Sequence, residues 1–315
     1  MASFERPVVL AVSGGADSMV MAAEVFESQP SMVAAIATFD HGTGRAARDA
    51  VALVAAWAGP RDIPVRTGAA AHALPRREAA WRAARWEFLA AVSAEFGAPV
   101  ATAHSEDDQV ETVFIRLLRH AGVRGLAGLL APGPVRRPLL HWPRAVVRDR
   151  ALTLGVPFRD DPSNLDRRHL RNRVRLDLLP ALERAEPGFR AWLLSVGTRA
   201  ATWRLDVARL VDRHWQPRVE DGGLRVSVPR DPRRLPDRDE AALCWPEVAG
   251  RIGVALDRRG TARLASFTTH RVTGQGMPLA GGVRVTSRRD EWSMERAGAV
   301  PAAVSPSDRR APRGA

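Results

Sequence analysis

No stretch constrains this chain more than Pro7-Val-Val-Leu-Ala-Val-Ser-Gly-Gly-Ala-Asp-Ser18. Its apolar run, Val8 to Val12, is rich in β-branched valine and predicts a strand buried on both faces. From Ser18 to Gln29 the spacing of Met, Val, Ala and Glu is helical, and Pro30 stops it. Between the two sit Ser13, Gly14, Gly15, Ala16, Asp17 and Ser18. A glycine turn joining a strand to a helix N-terminus is suited to anions. The glycines admit close backbone approach, and the first free N–H groups of the helix point at the ligand. The spacing matches neither the Gly-x-x-x-x-Gly-Lys-Ser/Thr loop nor Gly-x-Gly-x-x-Gly. The same residues also suit a plainer arrangement, with Asp17 or Ser18 capping the helix and the glycines only making the turn.

Alternation continues through the first half. Strands are predicted near 7–12, 32–39, 63–67 and 99–103, and helices near 18–28, 45–58, 77–96 and 107–120. Such alternation requires a parallel sheet with helices on both faces, whose ligands bind beyond the carboxyl ends of the strands. Three predicted strand ends carry polar residues suited to chemistry: Ser13 to Ser18, Asp40-His41-Gly42, and His104 to Asp108. Residues 121–140 are rich in Gly and Pro and predict loops near that site, followed by a helix near 143–154. Pro180 and Pro187 bracket a boundary, dividing a domain 1–185 from a second domain 186–296. The second opens with a long amphipathic helix, 188–214, then a strand at 224–228, a helix near 237–252 and strands at 282–286 and 291–295. Residues 297–315 lack periodicity and read as a disordered tail.

The formal charge is +12, and all 47 basic residues are Arg. The excess favours a polyanionic partner, nucleic acid before membrane. A single cysteine, Cys244, excludes a disulfide framework and any Cys-x-x-Cys site. No apolar run reaches the roughly 18 residues of a membrane span and no signal peptide is evident, so a cytoplasmic protein is expected.

A second constellation is Ala103-His-Ser-Glu-Asp-Asp-Gln-Val-Glu-Thr112, at the start of a predicted helix. Asp107 and Glu111 are four apart, and Asp108 and Glu111 three apart, so they share a face of its first turns. Ser105 as a cap, with acids complementing the helix dipole, explains part of this pattern. Four acids exceed what a cap needs; they are candidates for holding Mg²⁺ or the ammonium of an amine substrate. The arginines at 167, 168, 171, 173 and 175 suit either a salt-bridged face, with Asp160, Asp161 and Asp166 nearby, or phosphate contact. Arg82 and Arg85 carry the same two readings.

Ser-Gly-Gly-x-Asp-Ser after a first strand resembles the PP-loop of the N-type ATP pyrophosphatases. In sequence order come Asp40-His41-Gly42, Arg82-x-x-Arg85, Thr102-Ala-His-x-x-Asp-Asp-Gln-x-Glu-Thr112, Arg116-Leu-Leu-Arg, Gly125-Leu-Ala-Gly128, Arg137-Pro-Leu-Leu140, Asp161-Pro-Ser-Asn164 and Arg171-Asn-Arg-Val-Arg175. Together, over about residues 7–185, they are similar to the tRNA(Ile)-lysidine synthetases. Departures are His104-Ser105 for a paired His, Trp86 and His169 where Tyr is frequent, and Thr43 for Leu.

The resemblance implies an α/β fold: a parallel Rossmann-like sheet of the adenine nucleotide alpha hydrolase-like type, plus a smaller, mainly helical second domain for substrate and tRNA. It implies ligation of free L-lysine to C2 of the wobble cytidine of an isoleucine tRNA, with ATP and Mg²⁺ and through an adenylated tRNA. Ser13 to Ser18 would hold ATP and Asp17 the metal; Asp17, His104, Asp108 and Glu111 would be catalytic, with Asp108 or Glu111 deprotonating the lysine amine. Asp107, Arg82, Arg85, Arg171, Arg173 and Arg175 would meet substrate or tRNA, and Trp81 or Trp86 would stack the displaced base. The oligomeric state stays open, a dimer included. Alternatives are tRNA 2-thiolation, disfavoured by the lone cysteine, a small-molecule synthetase, disfavoured by the charge, and a degenerate tRNA-binding relative.

Overall fold

The computed structural model describes residues 4–40, 42, 44–70, 78–231, 233, 235–270 and 273–296. The chain divides into two compact units, Met1–Arg204 and Leu205–Ala315.

The first unit runs β1 (Val8–Ala11), α1 (Ala16–Ser28), β2 (Val33–Asp40), α2 (Arg45–Ala58), β3 (Val65–Ala69), α3 (Glu78–Phe96), β4 (Val100–Thr102) and α4 (Glu106–Leu118). These are the alternating elements expected. The strands are parallel, in the order β3-β2-β1-β4. A parallel bridge from Ala101 to Arg136 continues the sheet past β4. The pleat sorts β1 by alternate residues. Val8, Leu10 and Val12 join Ile36 against Met19 and Val20 of α1, Val54 and Trp57 of α2, and Val147 of a later helix. Val9 and Ala11 join Ala37 against Leu89 and Val92 of α3 on the opposite face. Each fully buried Leu or Ile here contributes on the order of 1.5–3 kcal/mol.

Beyond α4 come α5 (Val123–Leu126), α6 (Arg144–Thr153), α7 (Leu170–Arg173), a π turn over Val174–Leu178, α8 (Leu179–Ala185) and α9 (Phe189–His214). The helical run from Leu170 to Ala185 adds to the elements placed from the sequence. Pro180 is the second residue of α8 and follows directly on the π turn. Contacts divide the chain at Arg204/Leu205, inside α9, whereas the sequence places the boundary at 185/186. The physical reason is a third core, in which Leu193 of α9 packs with Val110, Val113 and Phe114 of α4 and with Val174 and Leu179. Gln109 completes this junction while fully buried. Its Nε2 donates to the Ala127 carbonyl at 3.1 Å, and its Oε1 accepts from the Leu129 N–H at 2.6 Å.

The second unit holds β5 (Arg218–Glu220), β6 (Arg225–Pro229), α10 (Arg238–Gly250), α11 (Arg258–Thr268), β7 (Gly276–Leu279), β8 (Val283–Ser287) and β9 (Glu291–Arg296). Its antiparallel sheet has the order β5-β6-β9-β8-β7. Helix α11 and strands β5 and β7 are additions to the elements read from the sequence. Trp215, Trp245 and Trp292 pack at centroid distances of 5.3, 6.3 and 6.4 Å, and the Trp245 indole donates to Thr268 Oγ1 at 3.0 Å. Cys244 is buried beside them, and burial pushes its thiol up to about 12, as a structural rather than reactive cysteine. No helix among the described residues is long and apolar enough to cross a membrane. His41, Thr43 and the tail 297–315 lie outside the described residues.

Candidate active site

The turn after β1 is held from inside. Ser18 Oγ accepts from the Ser13 N–H at 3.1 Å, lies 3.2 Å from Ser13 Oγ and donates to the Gly15 carbonyl at 2.9 Å. The Gly14 carbonyl accepts from the Arg159 N–H at 2.9 Å. Gly14 sits at φ 83°, and a Cβ there would meet Ala50 of α2 at 3.0 Å, so only glycine fits without strain. Gly15, the N-cap of α1, makes no side-chain cap hydrogen bond. Neither Asp17 nor Ser18 caps the helix. The first N–H groups of a 13-residue helix therefore stay available to a ligand at its positive end.

Helix α4 is built the other way. Ser105 accepts from the Asp108 N–H, and Asp108 Oδ2 accepts from the Ser105 N–H at 2.9 Å, closing a capping box. Its other oxygen, Oδ1, accepts from Arg144 at 3.0 Å and Arg171 at 2.8 Å. Glu111 is 1% exposed. Its Oε1 accepts from Arg175 Nε at 2.7 Å and Arg144 Nη1 at 3.3 Å, and its Oε2 from Arg171 Nε at 2.7 Å and Arg175 Nη2 at 3.2 Å. Asp107 accepts from the Arg144 backbone N–H at 2.7 Å and from the Arg190 guanidinium. Asp17 lies 3.9 Å from Arg144 Nε. Asp17, Asp107, Asp108 and Glu111 thus converge, and each is already faced by arginine.

Arg144 and Arg190 are the site residues that sequence reasoning missed. They sit on α6 and α9, and no local spacing links them to α4. Arg171 and Arg175, expected at substrate or tRNA, are instead tied to Asp108 and Glu111. Arg173, between them, is exposed. Both oxygens of Glu111 are occupied by guanidinium groups, so in this arrangement it holds arginines and has none free for an amine. Of the expected stacking residues, Trp81 is half-buried and Trp86 packs against the core of the α3 face.

The charges shift accordingly. Burial would raise Asp108, but Arg171, Arg144 and the Ser105 N–H outweigh it and hold the carboxyl below its usual 3.8. Asp17 goes the other way: burial raises it, Arg144 opposes, and Asp108 and Asp107 add to the rise. His104, whose Nδ1 lies 2.8 Å from Thr102 Oγ1, is pushed by burial down to about 4 against the pull of Asp108, with Arg137, Arg171 and Arg85 adding to the fall. Its imidazole is neutral at pH 7. Among the described residues no group of three or more His, Cys, Asp or Glu is placed to hold a metal by itself.

An uncapped helix after a Ser-Gly-Gly-x-Asp-Ser turn, at the carboxyl edge of a parallel sheet, defines a PP-loop protein, and residues 2–182 match the PP-loop domain family. A U34-tRNA thiolase, NcsA from Methanococcus maripaludis, shares the fold, with a TM-score of 0.52 and 20% identity over 64% of this chain and 74% of that one. The tRNA(Ile)-lysidine synthase of Salinispora tropica is 35% identical over 308 residues, 90% of this chain and 88% of its own. That of Parasynechococcus marenigrum is 30% identical over 309 residues, 92% and 89%. The chain belongs to the tRNA(Ile)-lysidine synthase family.

Proposed function

We propose that this protein ligates free L-lysine to C2 of the wobble cytidine of an isoleucine tRNA, in the cytoplasm, using ATP. The observation that carries the reading is the open N-terminus of α1 beside Asp17, with Arg144 joining Asp17 to Asp108 and Glu111.

In the first step the cytosine O2 attacks the α-phosphorus of ATP, the α–β phosphoanhydride bond breaks and pyrophosphate leaves. The N–H groups at the start of α1 and the guanidinium of Arg144 would stabilise the charge that builds on the phosphates. Asp17 would hold Mg²⁺, a hard cation that takes carboxylate oxygen. Its raised pKa supports that role, since a cation beside a buried carboxylate offsets the cost of its charge. When bound, the ion would neutralise phosphate charge.

In the second step the lysine ε-amine attacks C2, the C2–O bond to the adenylyl group breaks and AMP leaves, with loss of a proton from nitrogen. With Asp108 and Glu111 engaged by arginines, we assign this proton to neutral His104. Asp108 and Glu111 then act by holding Arg144, Arg171 and Arg175 against the phosphates.

Single-turnover reactions with α-labelled ATP, tRNA and lysine test the reading. The expected result is an adenylated tRNA that forms without lysine and is converted to lysidine when lysine is added. Adenylation of a small molecule in the absence of tRNA would overturn it.

A further inference from the structure

A second set of arginines has the opposite character: Arg82 and Arg85 on α3, Arg116 on α4, and Arg137 just past the Arg136 bridge. None has a carboxylate within ion-pair distance among the described residues. Burial lowers the pKa of Arg85, Arg116 and Arg137, and only arginine adds to it: Arg82 acts on Arg85 and Arg116, and Arg116 on Arg137. Their polar contacts are weak substitutes for a counter-charge. Arg116 donates to the Gly125 carbonyl, and Arg137 Nη1 to the Val135 carbonyl at 3.4 Å. Arg137 Nε is buried with no hydrogen-bond partner among the described residues. Arg137 also lines an open cleft of about 650 Å³ with Arg136, His141 and Trp142.

Clustered, partly desolvated cations without acids carry an electrostatic cost that an anionic ligand removes. The contrast with Arg144, Arg171 and Arg175 is direct: those are compensated by protein carboxylates, and these are not. Arg116 lies in the last turn of α4, whose first turn carries Asp107 and Asp108, so the set extends along that helix away from the site. ATP phosphates already have the start of α1 and Arg144. A string of cations running away from the reacting centre suits a ligand whose phosphates continue.

We propose that Arg82, Arg85, Arg116 and Arg137 form a track that grips successive backbone phosphates of the tRNA next to the reacting nucleotide. This rests on the reading that the substrate is tRNA. It keeps the expected Arg82 and Arg85 at the tRNA, adds Arg116 and Arg137, and moves the contact away from Arg171 and Arg175.

The test uses the full chain with Arg116→Gln, Arg137→Gln and Arg82→Glu, the last on an exposed helix position. Binding of the isoleucine tRNA is measured across a salt series, ATP binding by calorimetry and folding by thermal melting. Each variant should weaken tRNA binding roughly tenfold at low salt and reduce the slope of log K against log salt by about one, with ATP affinity unchanged. Folded variants that keep the wild-type affinity and slope overturn the track. So does lost ATP affinity with tRNA binding intact, which assigns the cluster to the triphosphate. Wild-type protein that binds no tRNA at any salt concentration overturns the substrate reading as well. Should Arg116→Gln fail to fold through loss of its Gly125 contact, Arg82→Glu still decides.

Discussion

Arg175 and Glu111 meet at two points, Nε to Oε1 at 2.7 Å and Nη2 to Oε2 at 3.2 Å, although 64 residues separate them in the chain. Two-point pairing fixes the orientation of both groups and is specific to the guanidinium fork. Glu111→Gln leaves Arg144, Arg171 and Arg175 with one less counter-charge. We expect a loss of about 3 kcal/mol, the low end for a broken buried pair because the arginines keep some exposure. Adenylation and lysine transfer should fall together, read by thermal melting and single-turnover kinetics. Selective loss of lysine transfer in a stable variant would make Glu111 the base after all.

Asp17→Asn separates stability from activity. The folded pKa of Asp17 is raised, so the carboxylate favours folding while protonated and opposes it once pH rises through that pKa. At pH 7 the Asn variant should be as stable as wild type or more so, yet form no adenylated tRNA. A variant that melts lower and still adenylates would contradict both halves.

The two turn glycines should respond differently. Gly14→Ala places a Cβ at φ 83° and 3.0 Å from Ala50, costing on the order of 1–2 kcal/mol and displacing the turn. At Gly15 a Cβ meets nothing closer than Ser13 Oγ at 3.7 Å, so Gly15→Val should fold normally and lose ATP binding. Calorimetry on a fully folded Gly15→Val variant gives the answer; unchanged affinity would remove the turn from the nucleotide site.

His104 sets a pH window. Its folded pKa of about 4 lies below the ordinary 6.5 of histidine, so the unfolded chain binds the extra proton between those values. Stability should fall as pH drops from 6.5 towards 4, by up to about 3 kcal/mol from this group. His104→Gln should flatten that part of the stability profile measured by denaturant unfolding.

Gln109 is wedged between two glycines. A Cβ at Gly197 would lie 2.4 Å from its Nε2, and one at Gly128 2.4 Å from its Oε1. Gly197→Ala should cost roughly 1–3 kcal/mol by overpacking. Combining it with Gln109→Ala should recover part of that loss, so the cycle yields a coupling energy; additive effects would show that the contact is not tight.

Much of this was readable beforehand because it is local. The valine run, the glycine turn and the helical spacing after Ser18 lie within one stretch, and the later alternation repeats that logic. Ser105 and Asp108 were also legible, as a capping pair three residues apart. Arg144 and Arg190 were not, since they meet Asp107 across 37 and 83 residues, and pairing of that kind is set by tertiary packing. The same holds for the unit boundary. The apolar stripe of α9 predicted a buried face but not that its first turns would be buried against α4. Helix α11 and the short strands β5 and β7 carry too little periodicity to stand out from loops.

The absence of a cap on α1 also has a kinetic signature. Amides with no acceptor inside the protein trade hydrogens with water at rates set by solvent access rather than by unfolding, so the first turn of α1 should label quickly while the rest of the helix stays dark. A bound phosphate group occupies those same amides. Isotope labelling of Ala16 to Ser18 therefore reports nucleotide occupancy directly, residue by residue, in protein that needs no dye and no mutation.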